Sequence, residues 1–138
     1  MTSKSLLKLL AEILKKFQFE EYGHADFTYA SGFKPYSTSD ASNETPMATK
    51  QGNIVTLSGA FAKDGAQSSA GDIDIGYVPS GCEPAHEVRF VAHGSGQSVF
   101  LLYIRKNGSM AVGRYGTTTN TAIPNNAWLN ISCTYIAY

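Results

Sequence analysis

Charge is scarce in this chain and favours neither sign, since 11 Lys and Arg are cancelled by 11 Asp and Glu among 138 residues. A chain without net charge lacks the electrostatic footprint of a nucleic-acid binder or of a polybasic membrane anchor, so no nucleic-acid partner is expected. Cysteine is limited to Cys82 and Cys133, too few for a disulfide framework. The two read either as one bridge or as buried thiols in a reduced compartment. No long apolar run is present. Leu6, Leu7, Leu9, Leu10, Ile13 and Leu14 are interrupted by Lys8 and Glu12 and followed by Lys15 and Lys16, which argues against membrane insertion and spoils the apolar stretch of a secretory signal.

Motifs of catalysis are missing as well. There is no Gly-x-Ser-x-Gly elbow, phosphate loop or His-Glu-x-x-His helix, so the chain is not read as an enzyme. Asp72 and Asp74 share a strand face and would suit a carboxylate pair or a calcium site, but exposed acids flanking Ile73 and Ile75 explain them without chemistry. Cys82 and His86 form a lone short-spaced pair, whereas zinc sites use paired ligand sets, so no metal and no cofactor are expected.

What is present is β-structure. The length and an apolar content of 43% suit one domain with a real core. Val99 to Ile104, then Asn107-Gly108, then Met110 to Val112 predict a hairpin closed by a type I′ turn, in which both central residues need positive φ. Phe100, Leu102 and Ile104 fall on one face of its first strand and Val99, Leu101 and Tyr103 on the other. A strand with no polar face is expected to be central and covered twice, by a second sheet or by another subunit. Further extended stretches are expected at 24–29, 53–61, 72–78, 88–92 and 127–138, and 31–43 reads as a loop. Many short strands separated by turn residues indicate a mainly β domain of β-sandwich or jelly-roll-like type.

The exception is the N-terminus. Leu6, Leu10, Ile13 and Phe17 recur at spacings of four, three and four, a coiled-coil seam over two heptads, and Leu7, Leu9 and Leu14 widen it. An amphipathic helix this short must bury its stripe, either on its own domain or against copies of itself. The chain therefore divides into a helix over 1–22, a short strand and polar loop over 23–45, and a head over 46–138.

Four segments in order resemble the C-terminal head domains of bacteriophage tail-fibre and baseplate receptor-binding proteins. Pro46-Met47-Ala48-Thr49-Lys50-Gln51-Gly52-Asn53-Ile54-Val55-Thr56-Leu57-Ser58-Gly59 resembles the opening strand. Gly76 to Pro84 is similar to the family's Leu-Pro-x-Gly-x-x-Pro crossing, with Val78 in place of leucine and Cys82 where tyrosine or phenylalanine is common. Ile104 to Val112 resembles its late hairpin, and Asn126 to Tyr135 its closing strand. The resemblance implies a homotrimer of heads on helices, located at the phage tail tip and assembled in the host cytoplasm. Its partners would be a bacterial surface saccharide and other tail or baseplate proteins. A structural subunit that binds no glycan is the alternative.

A saccharide site needs an apolar face for the sugar ring and donors and acceptors for its hydroxyls. Trp128, Tyr115, Tyr36, Tyr77, Arg89, Arg114, His93, Asp64 and Gln97 supply the pieces. Tyr115 leads because it stands in the polar stretch Arg114 to Asn120, where an aromatic ring has little structural reason to be. His93 to Gln97 forms a second candidate loop, and Trp128 is either a ligand contact or a core plug.

Overall fold

The computed structural model describes residues 2–16, 19–66, 71–96, 98–116 and 122–138. Phe17 of the expected seam and the candidate Gln97 lie outside the described residues.

Helix α1 spans Ser3–Lys16. Thr2 caps it, its Oγ1 accepting from the Ser5 backbone N–H at 3.1 Å, which satisfies one of the free donors at the helix start. Every side chain from Thr2 to Leu14 is exposed, the leucines included. From Thr2 to Leu14 the apolar stripe is thus not buried on its own domain. The helix is also shorter than expected: it ends at Lys16, and β1 (Phe19–Tyr22) already belongs to a sheet.

The rest is mainly β. A single 3₁₀ turn, His24–Asp26, leads into β2 (Thr28–Tyr29) and β3 (Phe33–Pro35), so the polar stretch read as a loop contains a short strand. There follow β4 (Met47–Gln51), β5 (Ile54–Ser58), β6 (Ala60–Lys63), β7 (Ile73–Tyr77), β8 (Val88–His93), β9 (Val99–Ile104), β10 (Ser109–Gly113), β11 (Trp128–Asn130) and β12 (Cys133–Ile136). They form a four-stranded sheet β1-β4-β5-β12, a five-stranded sheet β2-β7-β10-β9-β8 and a three-stranded sheet β11-β6-β3, and every pairing is antiparallel.

One core joins the three sheets. Val55 and Leu57 come from the four-stranded sheet, Ile75, Phe100, Leu102, Ile104, Met110 and Val112 from the five-stranded one, and Phe33, Phe61 and Leu129 from the third. Phe61 is fully enclosed, with Phe27 edge-on at 5.9 Å and Tyr29 tilted at 4.7 Å. The stretch 53–61, expected as one strand, changes sheet at Gly59, and the closing stretch 127–138 is likewise split between two sheets.

The expected hairpin is β9–β10, paired from Met110↔Ile104 to Gly113↔Leu101. Its turn differs from the expectation. Gly108 alone has positive φ, at 88°, and its N–H donates to the Arg105 carbonyl at 2.8 Å. This is a type I turn followed by a left-handed glycine, the three-residue hairpin loop. Asn107 keeps an ordinary φ because its side chain accepts from the Ser109 N–H at 3.0 Å. β9 is an interior strand, second from the edge of its sheet between β10 and β8, and the chain covers only one of its faces: Phe100, Leu102 and Ile104 are buried, while Val99 is exposed and Leu101 and Tyr103 are half-buried.

Candidate functional site

The outward face of the five-stranded sheet follows from strand register. Successive side chains alternate between faces, so Arg89, Val91 and His93 of β8 point away from the core opposite Tyr103, Leu101 and Val99 of β9. At one end, the Arg89 guanidinium lies 5.2 Å over the Tyr103 ring and is held by Glu87 at 2.9 Å. The ring in turn rests on bare backbone: a β-carbon at Gly113 would stand 2.7 Å from Tyr103 Cε2 and 2.5 Å from Asp72 Oδ1. Asp74 pairs with Arg105 at 2.8 Å, and Arg105 also donates to Ser109 Oγ at 3.2 Å, so this acid serves an ion pair on the sheet surface.

At the other end the face opens into a shallow depression of about 250 Å³ lined by Val91, Val99, Phe100, Leu101 and Arg114. Val91 is 79% exposed. Arg114 follows β10 with φ at 53°, in the left-handed region that Arg seldom occupies, and its side chain is exposed. Among the described residues it has no ion-pair partner. His93, the cross-strand neighbour of Val99, is also exposed.

Tyr115 is a correction. Expected to offer a ring to solvent, it is only 2% exposed and stacks on Phe100 with centroids 6.1 Å apart and planes at 25°. The physical reason is non-local. The Gly116 N–H donates to the Val99 carbonyl at 2.9 Å, which draws the segment back onto the hairpin and turns the ring inward beneath Gly94. A ring so enclosed has no face for a sugar. Its hydroxyl, like the Trp128 indole N–H, is buried without a hydrogen-bond partner among the described residues. Leaving a buried hydroxyl unpaired costs about 1–3 kcal/mol. Tyr115→Phe is therefore expected to hold or raise the unfolding midpoint, by up to about 1 kcal/mol of stability in urea titration. A loss larger than that would mean the hydroxyl has a partner.

Trp128 is half-buried, its ring 6.2 Å from that of His93, and its backbone N–H donates to Ser95 Oγ at 2.6 Å. His93, Arg114, Tyr115 and Trp128 thus meet around one end of β8 and β9, with Tyr115 as internal support. Tyr36, Tyr77 and Asp64 are exposed but lie elsewhere, at the end of β3, on β7 and beyond β6. Sequence reasoning missed Val91, Val99 and Leu101 as site residues. The signal was there in the strand with no polar face.

A larger cleft of about 590 Å³ runs between β8 and β12 and is lined by Ala85, His86, Val88, Arg89, Phe90, Thr134, Tyr135 and Ile136. It is mostly apolar, and the Tyr135 hydroxyl is already committed to the Cys82 carbonyl at 2.6 Å. Its other polar side chains are His86, Arg89 and Thr134, all exposed.

Both cysteines are free, and burial pushes the thiols up, to about 11 for Cys82 and about 12 for Cys133, so neither is a nucleophile near neutral pH. Among the described residues no group of three or more His, Cys, Asp and Glu is placed to hold a metal ion, and no helix is long and apolar enough to cross a membrane. In comparisons with protein families and with curated proteins, no family model and no curated protein matches the chain.

Proposed function

We propose that the chain is a bacteriophage receptor-binding protein, a trimer of β-sandwich or jelly-roll-like heads that recognises saccharide on the bacterial surface. The observation that carries the reading is the outward depression, where Val91, Val99 and Leu101 offer an apolar bed beside Arg114 and His93. Those are the two requirements of sugar recognition, an apolar face and adjacent donors. Arg114 in a left-handed conformation is kept at a cost of about 1–2 kcal/mol, and such outliers cluster where a side chain is needed in a fixed place.

The trimer is supported by the exposed helix. Numbering the seam so that Leu6 and Ile13 fall at d puts Leu10 and Phe17 at a. Leu10 at a with Ile13 at d is the combination that favours three or four strands over two, while Leu6 at d and Phe17 at a fall outside it, and the flanking Leu7, Leu9 and Leu14 widen the stripe beyond a strict dimer seam. Three heads on one bundle would let weak single sites act together, a gain of roughly 10²–10⁴ in avidity.

The test is titration of host cell-wall oligosaccharide into wild type and Arg114→Gly. Glycine accepts a φ of 53° without strain, so the variant should melt at the same or a higher temperature while affinity falls about tenfold, roughly 1.4 kcal/mol. Unchanged affinity would remove Arg114 from the site. Failure of the wild type to bind any surface polysaccharide would favour a baseplate or tail-fibre subunit that packs only on other virion proteins.

A further inference from the structure

An exposed apolar row lies on the four-stranded sheet and begins three residues after α1. Phe19 opens β1 and is in register with Gln51 of β4, Gln51 with Ile54 of β5, and Ile54 with Ile136 of β12, so these side chains form one row across all four strands on the outward face. Phe19 is 56% exposed, Ile54 55% and Ile136 65%. The next row on that face is Glu21, Thr49, Thr56 and Thr134, polar throughout, with the Thr56 and Thr134 hydroxyls 3.2 Å apart. Beyond it comes Met47 opposite Ser58, and Met47 is half-buried, so the exposed large apolar side chains of these strands stand in the row that begins with Phe19.

We propose that this row is a contact between copies of the chain, continuing the helix seam onto the heads. The inference rests on the reading of α1 as a self-associating helix. Its occupant is a second copy for two reasons. Between Lys16 and Phe19 the chain can span at most about 11 Å, so helices that converge on an axis deliver Phe19, and the row it starts, close to that axis. Two heptads are also marginal as a bundle, so the assembly needs further apolar surface, and this row begins three residues after the helix.

The experiment measures the trimer dissociation constant by sedimentation equilibrium for wild type, Ile54→Asp, Ile136→Asp, Leu10→Asp and Tyr36→Asp. Ile54 and Ile136 are exposed in the single chain, so their variants should keep the near-ultraviolet spectrum and urea midpoint of the dissociated protein. Each should raise the dissociation constant at least 100-fold, and Tyr36→Asp, exposed beyond β3, should change it less than threefold. If Leu10→Asp dissociates the protein while both isoleucine variants stay within threefold of wild type, the seam stands and this contact is refuted. A wild type that is monomeric at micromolar concentration overturns both. If Ile54→Asp instead lowers the urea midpoint of the dissociated chain, the row is covered within one chain and the proposal is wrong.

Discussion

Leu10→Asp should convert the assembled protein into monomers with intact heads. In the single chain Leu10 is 46% exposed, so a carboxylate there meets water and costs the helix little. In a three-helix bundle the same carboxylate enters the seam from each chain, loses its hydration and faces two like charges. An uncompensated buried charge costs about 3–5 kcal/mol. Taken once per chain, that is about 9 kcal/mol or more per trimer, over six decades in the dissociation constant. Light scattering behind size exclusion should show one-third of the wild-type mass, with the near-ultraviolet spectrum of the head retained. Lys8→Asp, on the polar side of the helix, is the control. If Leu10→Asp stays trimeric, the helix is not what holds the copies together.

The largest expected effect on folding is at Gly59. It sits at the corner where the chain leaves β5 for β6, with φ at 92°, and a β-carbon there would stand 2.2 Å from the Thr45 carbonyl oxygen. That carbonyl is backbone and cannot swing aside as a side-chain tip can. Moving it would disturb the Ala60 N–H to Glu44 carbonyl bond of 3.1 Å, and moving Gly59 would disturb its own bond from the Ile131 N–H at 3.0 Å. A left-handed alanine costs about 1–2 kcal/mol, and each weakened hydrogen bond about 1 more. Gly59→Ala should thus lose about 3–4 kcal/mol, much of the stability of a domain this size. Gly65 separates the two causes, since its φ is 80° but nothing lies within 4 Å of an added β-carbon. Gly65→Ala should show the conformational penalty alone. Equal urea midpoints for the two variants would show that the Thr45 approach is not the constraint.

Gly59 also marks where reading the sequence stops. Residues 53–61 read as one strand, and Gly59 is the one local mark of a break, which does not say what crosses there. The break is imposed by Thr45, fourteen positions earlier in the chain, crossing at the corner. The hairpin was legible because Val99 to Ile104 and Asn107-Gly108 act within a few residues of each other. The turn type was not, since the Asn107 side chain's bond to the Ser109 N–H stabilises an ordinary φ that the dipeptide alone leaves open. The candidate site divides the same way. His93 and Arg114 were identifiable as exposed polar groups near strand ends, whereas the burial of Tyr115 depends on the Val99 carbonyl of another strand.

The mainly β character, the hairpin and the amphipathic helix with its leucine stripe are legible from neighbouring residues, because period and turn chemistry are set locally. The fold adds that the helix stripe stays open from Thr2 to Leu14, that Phe19, Ile54 and Ile136 share a row, and that Val91, Val99 and Leu101 lie beside Arg114. Each of these depends on which strand lies next to which and in what register, and that choice is made by the burial of side chains far apart in the chain.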